Sequence, residues 1–456
     1  MTAEEDRASR GRLGLFGALD TTPEMAEATS DRSWLQALLD FESALARSEA
    51  LAGLIPQPAA AAIADRARAE NFDLEALGRA APAGGNPVLP LVRALADQLP
   101  RGAADWVHWG ATSQDAMDSA MMLVAARACP LVLADLRGAA AAAADLAERH
   151  RRSVQVGRTL LQQAVPTTFG LKAAGWLAAI SEVSETLAEV HERRLAAQLG
   201  GAAGTLAALE QRGAEVAANL ARELGLAEPL LPWHTDRVRV AQLAAALGLV
   251  AGVGAKVAID VILLSQTEVG ELSEAPGPGG GGSSAMPQKR NSAASVAIVA
   301  AQRRATPLVA VILGGMGQPL ERAAGEWQAE WTTLTQLLRL SGGIARRLRL
   351  LLSGLRVDPQ RMAANLAQGK GLVMAERLAL KLAASRGRGP ARQLVSEAAQ
   401  RSADGSLSLG EELAKDPRLT ADLAPQTLEQ LLDPEGYLGA TEEFIDRALA
   451  RHQELA

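Results

Sequence analysis

The segment from 236 to about 272 most constrains what this chain can fold into. Apolar residues fill it almost without a break between Val240 and Leu264, and nothing in it alternates as a strand would. Asp236 supplies an N-cap at its start. Read as one helix, the segment is roughly 55 Å long at 1.5 Å per residue, more than an ordinary globular helix. A helix with apolar residues on most faces must be covered on most faces. Gln242, Lys256 and Asp260 interrupt the apolar run. A lipid-spanning helix rarely carries both Lys and Asp, so the segment reads as a helix inside a protein bundle rather than a membrane span. One chain has too few neighbours to cover such a helix, which points to a homo-oligomer.

Other stretches repeat the pattern. Helical periodicity marks 31–51, 87–99 and 113–127. A long helix is predicted from near Pro166 to the stop at Gly200 and Gly201, another after Asn291 with a kink at Pro307, and another over about 320–352. Alternating β-branched runs are nearly absent, so the fold class is predicted to be all-α. Hydrophobic residues make up 48% of the chain but aromatics only 3%. The core must therefore come from many close contacts of Ala and Leu rather than a few large rings. Beyond a boundary at 354–359 the helices shorten, with turn signals at 386–390 and 433–436. The predicted organisation is an N-terminal helical domain over 1–111, a long-helix domain over 112–354 and a C-terminal helical domain over 355–456.

Charge and cysteine content exclude some functions. The net charge is −6 with acids and bases interspersed, without the basic stripe of a nucleic-acid binder. A single cysteine, Cys129, rules out an intrachain disulfide and suits a reducing cytosol. The first residues are acidic and lead into no apolar run, so they do not read as a secretory signal.

Four polar segments carry the chemistry. His108-Trp109-Gly110-Ala111-Thr112-Ser113-Gln114-Asp115 precedes a helix that Thr112 or Ser113 could cap, leaving N–H groups for an anion. Arg158, Thr159 and Gln162 precede another helix, and an arginine there could take a carboxylate bidentately or a surface ion pair. Gly200-Gly201-Ala202-Ala203-Gly204-Thr205 by itself reads as a helix end and a loop. The fourth is Gly282-Ser283-Ser284-Ala285-Met286-Pro287-Gln288-Lys289-Arg290-Asn291, after a run of Gly and Pro over 276–281. It brings hydroxyls, an ammonium and amides to a glycine-rich loop, the parts needed to move a proton and hold an anion. It is neither a Walker A loop nor a Rossmann fingerprint, and Cys and His are too few for a metal site.

Together these segments resemble the fumarase/aspartase superfamily, whose Gly-Ser-Ser-x-Met-Pro-x-Lys-x-Asn signature is matched in full at 282–291. Segments such as Asn86-Pro87-Val88-Leu89-Pro90 and Trp327-Gln328-Ala329-Glu330-Trp331 are most similar to its bacterial 3-carboxy-cis,cis-muconate cycloisomerase branch. The resemblance implies an all-helical homotetramer with a central bundle of twenty helices, active sites shared between subunits, a small polycarboxylate substrate, and no cofactor or metal. It implies Ser283 as the proton-transferring residue on a mobile loop over 274–291, with Lys289 and Asn291 holding the substrate and its enolate-like intermediate. It implies His108, Thr112, Ser113, Arg158, Thr159 and Gln162 as pocket residues. Many superfamily lyases carry a histidine, tied to protonating an amine or alkoxide leaving group, where this chain has Leu160. A carboxylate leaves without a proton, so Leu160 fits lactone chemistry and weakens an adenylosuccinate lyase reading. The role of His108 stays open. A non-catalytic, crystallin-like member is the remaining alternative, opposed by the presence of Ser283, Lys289 and Asn291.

Overall fold

The computed structural model describes residues 13–275, 286, 289–420 and 424–455. Helices dominate, and among the described residues six of them run for 21 residues or more. We label the main ones α1 (Asp31–Leu51), α2 (Ser113–Arg149), α3 (Phe169–Arg193), α4 (Val238–Leu264), α5 (Ala293–Gly314) and α6 (Glu326–Ser353). The strands are β1 (Val154–Thr159), β2 (Gln162–Thr168), β3 (Leu272–Ser273) and β4 (Arg356–Val357). By contact the chain divides into two compact units. One comprises 1–136, 182–256 and 297–348, and the other 137–181, 257–296 and 349–456.

In the first unit, α1 begins at Ser30, whose hydroxyl accepts from the Ser33 N–H. Its inner face buries Leu35, Leu38, Leu39, Phe41 and Leu45 against the helices Gln57–Arg66 and Gly213–Leu224. Small residues let long helices approach closely. A Cβ on Gly254 of α4 would lie 2.5 Å from Ile344 Cγ2 of α6. At the centre of this unit Arg237 is fully buried. Its Nη1 and Nη2 donate to Asp118 at 2.8 and 3.0 Å, its Nε donates to Glu330 at 3.0 Å, and Nη2 also reaches Glu330.

In the second unit, β1 and β2 form an antiparallel hairpin that packs on the helix Pro359–Gln368. Trp176 Nε1 donates to Asp260 Oδ2 at 2.8 Å, so the acid that interrupts the apolar run has a partner. The helices Ala375–Arg386 and Arg388–Asp404 pack together around Leu378, Leu382, Leu394 and Val395.

Three sequence expectations need correction. The helix expected over 113–127 runs on through Pro130 to Arg149. A mid-helix proline costs roughly 3 kcal/mol, and burial of Ala128, Cys129, Val132, Leu133 and Leu136 around it offsets that cost. The helix expected to run to about 272 ends at Leu264, about 40 Å from its start. Beyond it the chain turns back to pair Leu272 with Val357. The N-cap is Arg237, whose carbonyl accepts from the Ala241 N–H, one residue past the Asp236 expected there, and Asp236 accepts from the Val238 N–H at 3.1 Å. The start near Pro166 is instead a strand, with Pro166 opposite Val156. The turn between β1 and β2 is Leu160-Leu161, both at positive φ (50° and 64°), where Asn-Gly is the usual signal. Two leucines hide a hairpin from sequence reading.

Replacing Arg237 by Leu strands the buried carboxylates of Asp118 and Glu330. The expected loss of stability is about 3–5 kcal/mol, read from the unfolding midpoint in denaturant.

Candidate active site

Asp115 organises the first group of polar residues. It is fully buried on the first turn of α2. Its Oδ1 accepts from the Gly200 N–H at 2.9 Å and from His234 Nε2 at 2.7 Å. Its Oδ2 accepts from the N–H groups of Gly201 and Thr112, both at 3.0 Å. The segments 108–115 and 200–205 are thereby joined through one carboxylate. Thr112 does not cap α2 through its hydroxyl. Arg322 donates to Thr112 Oγ1 at 2.6 Å, and through Nη2 to the carbonyls of Gly201 and Ala202 at 3.3 and 3.0 Å. Ser113, the first residue of α2, is half-buried beside it.

Two backbone features show how tightly this corner is built. Gly110 has φ of 67°, and a Cβ there would lie 2.6 Å from Leu209 Cδ2. His108 has φ of 59°, a conformation that costs a non-glycine residue on the order of 1–3 kcal/mol. Its Nδ1 donates to Glu42 Oε1 at 2.7 Å. Burial depresses the imidazolium, but the charge and hydrogen bond of Glu42, helped by Asp115, raise His108 above its ordinary range. On the same helix Glu49 is fully buried, and burial with the nearby Glu42 charge pushes it up to about 9.

The second group lies in the other unit. Arg158 Nη1 and Nη2 donate to Glu271 at 3.0 and 2.6 Å, and Asn365 Nδ2 donates to the same carboxylate at 2.8 Å. Glu271 is fully buried. This ion pair fixes the hairpin, whose tip carries Thr159 and Gln162 as paired, exposed residues. Between them Leu160 is 96% exposed. Glu274, directly after β3, holds the start of α5. Its carboxylate accepts from the N–H groups of Ala294 and Ser295 at 3.0 and 2.9 Å, and from Ser295 Oγ at 2.6 Å. A carboxylate on the first N–H groups of α5 suits the positive end of that helix. Lys289 and Asn291 are exposed. Ser283 lies outside the described residues.

Sequence family comparison decides the affiliation. The family described as Lyase matches residues 17–305, and Adenylosuccinate lyase C-terminus matches 371–448. The chain belongs to the fumarase/aspartase superfamily of lyases. A superfamily relative named 3-carboxy-cis,cis-muconate cycloisomerase, from Pseudomonas aeruginosa, is 46% identical over 97% of each chain. Nitrosuccinate lyase from Streptomyces davaonensis is 43% identical, covering 96% of this chain and 94% of its own. The crystal structure of the 3-carboxy-cis,cis-muconate lactonizing enzyme from Pseudomonas putida superposes with a TM-score of 0.90 at 41% identity, covering 96% of this chain and 99% of that one.

Asp115, His234, Arg322, Glu42, Glu271 and Glu274 were not singled out by sequence reasoning as site residues. Asp115 and His234 had the weak signals of a motif position and a scarce residue type. A lone Arg322 or Glu42 in a polar or helical stretch carries none.

Glu49 gives a pH test of this corner. Folded, it holds its proton up to about pH 9, whereas an ordinary glutamate releases it near 4.5, so wild-type stability falls as pH rises between those values. Glu49→Gln removes that titration. The variant should gain on the wild type by on the order of 1 kcal/mol per pH unit in mid-window. Denaturation at about pH 5.5 and about pH 8.5 reads the difference, and parallel curves would refute the assignment.

Proposed function

We propose that this superfamily member is a 3-carboxy-cis,cis-muconate cycloisomerase, converting its substrate without a cofactor to 4-carboxymuconolactone in protocatechuate breakdown by the β-ketoadipate route. The observation that carries this reading is the exposed Leu160 at the hairpin tip, in a chain 46% identical to a relative of that name. Where an amine- or alkoxide-releasing lyase needs a proton donor, this chain offers a hydrocarbon side chain.

In the proposed reaction one substrate carboxylate oxygen attacks the conjugated alkene carbon. The displaced electron pair moves onto another carboxyl group as an enediolate. Lys289 and Asn291 stabilise that charge by donating hydrogen bonds to it. Ser283 then gives its proton to the α-carbon and is reprotonated from solvent. In reverse, the Ser283 alkoxide removes that proton, with Lys289 lowering the cost of the alkoxide. The proposal assigns substrate binding to His108, Thr112 and Ser113 and to Arg158, Thr159 and Gln162, the last three carried by the hairpin that the Arg158–Glu271 pair ties down.

The proposal includes the three-part organisation 1–111, 112–354 and 355–456, a cytoplasmic location, and a homotetramer with shared active sites. Support for assembly comes from apolar surface. Three helices, α2, α4 and α5, are long and apolar enough to cross a membrane by length and composition alone. Only 22% of the apolar window of α5 is buried, with Val296, Val311 and Leu313 exposed. Helices of other copies would cover these residues. Sedimentation should give four times the monomer mass, and a stable monomer would refute the tetramer.

A second reading is favoured by the 43% identical nitrosuccinate lyase. Nitrite, like a carboxylate, leaves as a stable anion and needs no acid, so Leu160 fits that elimination too. The deciding experiment follows diene absorbance with 3-carboxy-cis,cis-muconate and nitrite release from nitrosuccinate in parallel. We expect rapid diene loss, reduced at least about 10³-fold in a folded Ser283→Ala protein. Nitrite release without diene loss would replace the first reading by the second.

A further inference from the structure

The buried face of α1 carries two acids that the proposed reaction does not use, Glu42 and Glu49, two turns apart. Neither oxygen of Glu49 has a hydrogen-bond partner, nor does Oε2 of Glu42. A second buried charge in that place would be very costly, and Glu49 avoids it by keeping its proton. Two carboxyl groups therefore present a single negative charge, and the group placed to answer it is the imidazole of His108.

We propose that Glu42 is a positioning residue: its carboxylate fixes the Nδ1–H of His108 and holds the ring as a cation, so that Nε2–H binds a carboxylate of the substrate. The inference rests on the polycarboxylate reading given above. Ionised Glu42 can only accept, so Nδ1 must carry a proton. Among the described residues Nε2 makes no hydrogen bond, and it is not among the buried atoms left without a partner. A pair serving stability alone would not need one imidazole edge left open. The backbone tells the same way. His108 is held at positive φ with its ring 6.4 Å from that of Phe41, although glycine would adopt that conformation freely.

The charged groups around the ring are consistent. Glu42 faces it from α1, where Glu42 also acts on Glu49, and Asp115 acts on it from α2. Arg322, the arginine bound to the 108–115 segment, is engaged by the Thr112 hydroxyl and by loop carbonyls. The acidic side dominates at His108 and favours the imidazolium. A cation at this position would explain how an acidic chain receives a substrate with several carboxylates, and it gives His108 a binding rather than a proton-transfer role.

The test uses the full-length protein and tricarballylate, a tricarboxylate fully ionised above about pH 7. NMR titration of the wild-type imidazoles should place His108 above ordinary histidine. Tricarballylate affinity should fall as pH rises through that value. Glu42→Gln keeps an acceptor but removes the charge. It should move the His108 titration to lower pH and weaken binding about tenfold at about pH 7.5. His108→Gln should abolish the pH-dependent step in affinity, which tests the proposal even if Glu42→Gln fails to fold. A wild-type His108 that titrates at or below the ordinary range overturns the proposal. So does a folded Glu42→Gln protein with unchanged titration, or a His108→Gln protein that keeps the pH step. Failure of the muconate assay alone would strike the substrate reading, since the titration requires no turnover.

Discussion

One carboxylate holds the first polar corner of this enzyme together. Asp115 takes four hydrogen bonds, from Thr112, Gly200, Gly201 and His234, and each donor comes from a loop or a loop end rather than from a helix interior. Loops have no ladder of their own to satisfy their N–H groups, so a buried acid that accepts several of them replaces secondary structure there. With those loops pinned, Arg322 can clamp Thr112 to the carbonyls of Gly201 and Ala202, and His108 can be kept in a conformation it would not choose. The strain is local, and the hydrogen bonds around it are what maintain it.

Buried charge elsewhere follows the same rule of complete pairing. Arg237 faces Asp118 and Glu330 with all three nitrogens engaged, and Trp327 and Gln114 supply further donors to Asp118. Arg158 and Asn365 do the same for Glu271 in the second unit. The exception is the pair Glu42 and Glu49. It is resolved by keeping one of the two protonated rather than by adding a cation for each.

The hairpin tip is built from two side chains that do not usually make such a turn. Leu160 and Leu161 occupy a turn that other sequences build from Asn and Gly, and both side chains stand in the open. Nothing in the packing of this unit rewards them. A leaving group that departs as a stable anion asks for no proton there, and hydrocarbon is then acceptable.

The sequence alone determined the helical class, the superfamily and the glycine-rich signature, because these depend on local periodicity and on residues adjacent in the chain. Helix α1 was legible from the apolar spacing of 31–51, and the start of α4 to within one or two residues from Asp236. What depends on distant partners was not legible. Pro130 reads as a stop until the buried residues around it are counted. Leu160-Leu161 does not read as a turn until its strands are seen to pair. Tertiary structure alone decided that Asp115 joins 112 to 200, that Arg158 is met by Glu271, and that Glu42 stands against His108. Those contacts span 66 to 113 residues of chain, and a hydrogen bond leaves no mark on sequence spacing when its two ends are brought together only by the packing of helices.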